Sequence, residues 1–315
     1  MNMETTNINK KSKRKSMSAK KREIMIFYYS MIALPIVQFI VFYLYINFSS
    51  FAMGFQEYNY KTGDYQWLGF KNFITIFQDF KRLAYLRNSV TNSLSLFLWT
   101  MIFCSMLAIL FSYYIYKKQF ASSLFKVVLY LPNILGGIVV VIMYKFFVEN
   151  AYPEMIKTLF KLEEVQGLLS DPETTRGTIL FYTIFVSFGG QVLVYSSTMS
   201  GISDSIIESA QLDGITPLRE LVYIVLPSIW YTFVTFMVSL VVGIFTNQMN
   251  LFTFYDQYAD FSLYTFGYYL FRGVKVAEYK DYPYLSAMGL LLTAVAVPLT
   301  LFVRWALTKF GPSKD

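Results

Sequence analysis

The sequence predicts an all-α membrane protein of six transmembrane helices, with a polar cytoplasmic loop between the fourth and fifth. Three observations lead there. Only 15% of the 315 residues are charged and 55% are hydrophobic, whereas soluble domains carry about 25% charged residues. Apolar runs recur at 24–50, 89–116, 127–148, 177–199, 228–250 and 284–307, each at least the ~20 residues a helix needs to cross the hydrocarbon. Backbone amides in lipid must be satisfied within their own segment, which selects helices for runs of this length.

Taken in order, residues 1–23 form a basic arm. Its stretch 10–22, "KKSKRKSMSAKKR", holds eight Lys or Arg and accounts for most of the net charge of +7. A basic block beside a long apolar run reads as a cytoplasmic flank meeting anionic headgroups. Blocks of like charge are usually solvated tails, so no nucleic acid is expected as a partner. The first run, 24–50, is far longer than the apolar core of a signal peptide, which fits a retained helix. Residues 24–308 then make one transmembrane domain, and 309–315 a short cytoplasmic tail.

Six spans with a cytoplasmic start place both termini inside. The segments then assigned to the inner side carry 15 Lys/Arg over 73 residues, and the outer ones 11 over 96, the sign expected for inner loops. Pro35, Pro132 with Gly136-Gly137, and Gly189-Gly190 interrupt the first, third and fourth spans. These positions predict kinks and close helix approach.

What the chain lacks is also informative. It has no histidine, and its one cysteine, Cys104, lies in an apolar run, where it acts as a small hydrophobe. A disulfide framework, a Cys/His metal site and a His-activated nucleophile are thereby excluded. There is no phosphate-binding loop of the G-x-x-x-x-G-K-[ST] type, and no catalytic residue, cofactor or metal is expected. Proton-coupled carriers need an acid inside the bundle, yet no Asp or Glu lies near the centre of any span. Lys145 falls near the outer end of the third span, and Arg304 at the inner end of the sixth.

Uncharged polar residues do occur at depth. Gln191 follows the glycine pair of the fourth span. Gly243, Asn247 and Asn250 are spaced to share one helix face, with Gln248 on the neighbouring stripe. Buried amides must find hydrogen bonds. These four polar residues are either an interhelical clamp or the polar lining of a substrate path that binds hydroxyls.

The loop between spans four and five is the most structured polar segment. Ser205 and Glu208 have capping-box spacing, which predicts a helix over 206–213 that stops at Gly214. Thr216 and Pro217 then start a second helix, and Pro227 marks its passage into span five. Across 200–227 only Arg219 opposes Asp204, Glu208, Asp213 and Glu220. A helix lying on anionic headgroups wants basic residues, so an acidic face suits a protein groove.

This stretch, "ESAQLDGITPLRELVYIVLP" at 208–227, resembles the EAA loop of binding-protein-dependent ABC transporter permeases, usually E-A-A-x-x-D-G followed at a distance by I-x-x-x-P. Glu208, Ala210, Asp213 and Gly214 match, Pro227 follows Ile224, and Ser209 replaces the first alanine, small for small. "WLGFKNF" at 67–73 is similar to the W-x-G-x-x-N-F element of sugar permeases. "LFKVVLYLPNIL" and "YLSAMGLLL" resemble their third and sixth spans. The T-G-G-P often found after span five is replaced by "TFYDQYADFSLY".

The resemblance covers most of the chain and favours the carbohydrate-uptake (maltose/glycerol-phosphate-type) branch. It implies one transmembrane subunit of an ATP-driven importer for a mono- or oligosaccharide, working by alternating access in a bacterial plasma membrane. Glu208, Ser209, Ala210, Asp213, Gly214 and Pro227 would then couple to a separate ATPase through a short coupling helix. The implied partners are a second permease subunit in a heterodimer, cytoplasmic ATP-binding subunits and an extracellular solute-binding protein. A permease for a non-sugar solute would share the loop but not "WLGFKNF". A stand-alone secondary carrier would work without an ATPase.

Overall fold

In a computed structural model, residues 4–312 are described, with side chains from residue 20 onward apart from residue 46. Most side chains of the basic block, and tail residues 313–315, therefore lie outside the described residues. The chain is a bundle of long helices with one small hairpin. Helix α1 (Lys20–Met53) continues a helix that begins at Glu4, runs through Pro35 and takes π-helical turns over Phe39–Tyr45. A hairpin follows, β1 (Gln56–Asn59) antiparallel to β2 (Asp64–Trp67), with Gln56 opposite Trp67. This hairpin was not expected in an all-α reading: its strands are four residues each, too short for periodicity to reveal.

Helix α2 (Lys71–Arg82) leads into α3 (Ala84–Tyr116). The third apolar run is not one rod. It comprises α4 (Ser122–Ile134) and α5 (Gly137–Phe160), bent by 102° at Leu135-Gly136. Helix α6 (Pro172–Met199) is unbroken through its glycine pair. After α7 (Asp204–Leu212) come α8 (Pro217–Ser228) and α9 (Trp230–Thr246), bent by 75° at Ile229. The short α10 (Leu251–Tyr255) and α11 (Phe266–Val276) precede the final α12 (Tyr282–Phe310). Four of the described helices are long and apolar enough to cross a membrane, or up to six if each bent pair is one span.

Packing explains the glycine pair. Helix α6 is held between α3 and α4, and a Cβ at Gly189 would overlap the Leu129 carbonyl oxygen of α4. Only a hydrogen lets the two backbones meet there, the small-residue contact that draws helices together in lipid. Asn133 adds a bond across the same crossing, donating to the Val186 carbonyl at 3.3 Å. Gly189 thus marks a crossing and not a break.

Three buried clusters organise the bundle. One, around Tyr195, Met199, Cys104 and Ala108, lies between α3 and α6 at the end of the bundle that bears α7. A second, around Tyr182, Phe254, Tyr264 and Tyr268, closes the opposite end. A third joins α2, α3 and α12 through Ile76, Leu86 and Met288. Helix α1 is exposed along its apolar window, and its last turns, Ile46–Met53, pack on α12.

Candidate functional site

The segment between α6 and α9 is built from local chemistry. Ser203 takes the extended N-cap conformation, and its hydroxyl meets that of Ser205 at 2.8 Å. The Ser205–Glu208 capping box therefore does not form. The helix begins at Asp204, two residues earlier than expected, which places a carboxylate in its first turn against the positive end of the dipole. Its nine residues span about 13 Å.

The far end is a Schellman turn. The Ile215 amide donates to the Ala210 carbonyl at 3.1 Å and the Gly214 amide to that of Gln211 at 3.0 Å, the 6→1 and 5→2 pair that closes such an end. Gly214 has φ +75, a left-handed conformation that costs any residue with a Cβ. Thr216 is extended, and Pro217 opens α8 at its first turn, where a missing amide hydrogen costs nothing.

Helix α8 does not end at Pro227. It runs to Ser228, with π-helical turns over Leu221–Val225, and the bend into α9 falls at Ile229. Proline removes a backbone donor, and Pro227 sits, half-buried, two residues before that break. Leu221, Val225 and Ile229 recur every four residues and are buried against Cys104, Tyr195 and Met199. So α8 is seated in the core while α7 stands proud of it.

On α7 only Ile207 is buried; Glu208, Ser209, Asp213 and Gly214 are exposed and Ala210 is half-buried. Ile206 and Leu212 are exposed as well, Leu212 by 89%. The result is an apolar pair flanked by Asp204, Glu208 and Asp213. Glu220 is the exception to the acidic face expected from sequence: it is 3% exposed and turned into the bundle. Five of the six residues singled out for coupling thus fall on α7 and the turn that ends it, with Pro227 one helix further on.

The residues assigned to a substrate path are not brought together in the same way. Helix α9 stops at Thr246, so Gly243, Asn247 and Asn250 share no helix face. Asn247 ends α9 with its carboxamide oxygen accepting from the Met249 amide at 2.8 Å. Met249 and Asn250 have positive φ, and Asn250 begins α10. A side chain that bonds its own backbone two residues on makes an Asx turn, and this local competition ended the helix. The Gln248 carboxamide oxygen and that of Gln191 are both buried, and neither has a hydrogen-bond partner among the described residues.

Sequence reading missed a polar cavity of about 290 Å³ at the end opposite α7. Ser170, Thr175, Tyr255, Tyr258, Asp260 and Ser262 line it. The Ser262 amide donates to Asp260 at 2.8 Å. Hydrogen bonds from Ser262 hold the Asp260 carboxyl below the usual range, so it stays anionic at neutral pH. The signal was present in "TFYDQYADFSLY", a tyrosine- and acid-bearing run, but nothing in its spacing places Ser170 and Thr175 across from it.

"WLGFKNF" acquires a structural role. Trp67 stacks on Phe55 with ring centres 5.5 Å apart. The Asn72 amide group donates to the carbonyls of Gly54 at 3.1 Å and Gln56 at 2.8 Å. The element clamps the hairpin onto the end of α1.

No family model matches the chain. The probable ABC transporter permease protein MG188 homolog of Mycoplasma pneumoniae is 27% identical over 185 residues, 57% of this chain and 54% of that protein. The probable starch degradation products transport permease AmyD of Thermoanaerobacterium thermosulfurigenes is 22% identical over 190 residues, 60% of this chain and 61% of its own. The chain thus spans little more than half the length of these two relatives. The polygalacturonan/rhamnogalacturonan transport system permease YteP of Bacillus subtilis is 23% identical and aligns over 96% of this chain and 94% of its own. Among solved structures, a chain of a bacterial ABC transporter for import of the acidic polysaccharide alginate has TM-score 0.75 at 22% identity. It matches 94% of this chain and 99% of that one. A bacterial alginate ABC transporter in complex with an alginate pentasaccharide-bound periplasmic protein gives TM-score 0.70 at 23% identity, over 92% of this chain and 97% of that one. The loop motif and these relatives point the same way: the chain is similar in sequence to permease proteins of ABC transporters, and it shares its fold with a chain of the alginate transporter.

Proposed function

We propose that this chain is one transmembrane subunit of an ATP-driven importer for a mono- or oligosaccharide, and is a transport component with no catalytic centre of its own. The observation that carries the proposal is the α7–Gly214–α8 unit. A short exposed helix, acidic and apolar by turns, ends in a tight turn against a second helix whose stripe is sunk in the bundle core. Such a unit transmits displacement from a partner at α7 to the spans beneath. Glu208, Ser209, Ala210, Asp213 and Gly214 form the face offered to a separate ATPase, and Pro227 lies beside the bend that passes motion into α9.

In this reading the chain crosses the membrane six times, with α4–α5 and α8–α9 each counted as a broken span, and both termini are cytoplasmic. The domain limits are those read from the sequence, 24–308 for the transmembrane part. The polar cavity beside Asp260 then faces outward, towards a solute-binding protein that delivers the sugar. Gln191, Asn247, Gln248 and Asn250 are retained as candidates for the path. A second permease subunit completes the pathway, and the apolar window of α1, exposed in its own chain, is available to it.

Saccharide as the substrate class rests on the relatives, whose names give starch degradation products, polygalacturonan and maltodextrin. The test is purification of the tagged chain from its native membrane. An ATP-binding subunit and a sugar-binding extracellular protein should accompany it, and ATP-dependent sugar uptake should be measurable after reconstitution. Uptake without any ATPase would refute the proposal.

A further inference from the structure

Beneath the exposed helix lies an ion pair that the proposed coupling role of α7 does not use. Lys117 Nζ stands 2.6 Å from Glu220 Oε1. The Tyr113 hydroxyl lies 3.2 Å from the same carboxylate oxygen and 3.1 Å from the Pro217 carbonyl. Lys117 also sits 5.8 Å and 5.9 Å from the ring centres of Tyr113 and Tyr116. These groups join two elements 104 residues apart in sequence: the last turn of α3 and the first turn of α8, six residues beyond Gly214.

The chemistry makes this contact directional. Lys117 follows the C-terminus of α3 and Glu220 falls in the first turn of α8, so each charge also faces the favourable end of its own helix dipole. Glu220 is 3% exposed and Lys117 22%. Removing either partner of so shielded a pair strands the other. Apolar contacts along Leu221, Val225 and Ile229 can slide by a small amount, whereas an ion pair with a tyrosine hydroxyl shared between its carboxylate and the Pro217 carbonyl fixes one position.

We propose that Lys117, Glu220 and Tyr113 form a latch that ties the α7–α8 unit to the third helix, so that movement of α7 drives α3 and, through it, α6. They are positioning residues: none is placed on the surface offered to the ATPase or in the polar cavity. The proposal rests on the permease reading above. Without the latch, α7 follows its partner while the bundle lags, and hydrolysis proceeds with little transport.

The test uses the whole transporter, reconstituted with its copurifying ATPase, second permease and binding protein. Solute imported per ATP hydrolysed is measured for wild type, Glu220→Gln, Lys117→Met, and the exchange Lys117→Glu with Glu220→Lys. The single variants should retain ATPase and hydrolysis but lose about tenfold in solute per ATP, a loss of ordinary allosteric size; the exchange should recover part of it, since the pair re-forms while each charge faces the unfavourable end of its helix dipole. Normal ratios in both single variants would overturn the latch. So would an exchange variant no better than the singles, and this arm decides the matter if the single variants fail to insert. A wild-type chain that purifies without any ATPase would contradict the permease reading itself, and the latch with it.

Discussion

Gly214 shows what one residue contributes. Its φ of +75 comes with open space, since a Cβ there would meet nothing within 4 Å. Substitution therefore acts through the backbone alone: Gly214→Ala should destabilise the turn by about 1 kcal/mol. Retained membrane insertion with reduced ATP-driven uptake is the expected outcome, and a full uptake rate would argue that the turn is not under strain during transport. Asn72 is the second informative position. Both of its bonds run from one carboxamide to the Gly54 and Gln56 carbonyls, so Asn72→Ala loses about 1 kcal/mol per bond. A lowered Tm of the detergent-solubilised transporter checks this. Each residue was conspicuous in the sequence: Gly214 as a helix stop, Asn72 as part of a motif. What Asn72 holds was not legible, because its partners precede it in a hairpin whose strands are too short to recognise.

At the level of elements, length and apolarity located the helices but not their breaks. Gly189-Gly190 and Gly136-Gly137 look alike in sequence, yet α6 runs unbroken through the first while α4 and α5 part by 102° at the second. The difference is tertiary. The α4 backbone abuts Gly189, whereas Leu135-Gly136 joins two helices seated in different buried clusters. Gly189→Leu should force α4 away from α6 and cost about 3 kcal/mol, read as a fall in Tm; the same change at Gly137, where a Cβ would meet nothing, should be far milder. The polar residues at 247–250 failed for a related reason. Their spacing suits a helix, but the Asx turn at Asn247 ended α9 before that spacing could matter. The α7–α8 pair was legible because its stop and start signals are local, and its apparent capping box was misleading because Ser203 and Ser205 compete for the same turn.

At the scale of the molecule, the buried clusters divide the work. The cluster around Tyr195 and Met199 supports the element proposed to receive the ATPase, and the tyrosine-rich cluster around Tyr264 and Tyr268 backs the opposite end with its polar cavity. The third cluster, of α2, α3 and α12, ties α3 to the final helix. Helix α3 thus takes part in all three clusters, through Cys104, Leu96 and Leu86, which is why a link between α8 and α3 would reach the whole bundle. If α1 meets a second permease, a cysteine at Leu34, 74% exposed, should crosslink to that subunit in membranes.

The central claim is that α7 is the face gripped by an ATPase, and the chain's single cysteine makes it directly measurable. Cys104 is buried, so Cys104→Ala gives a cysteine-free background in which Ser209→Cys presents one reactive thiol on the exposed face of α7. Crosslinking this thiol in native membranes should yield a covalent adduct with the ATP-binding subunit, whose yield changes when ATP is added. A thiol that reacts freely with soluble reagents, and forms no such adduct while the ATPase copurifies, would contradict the account.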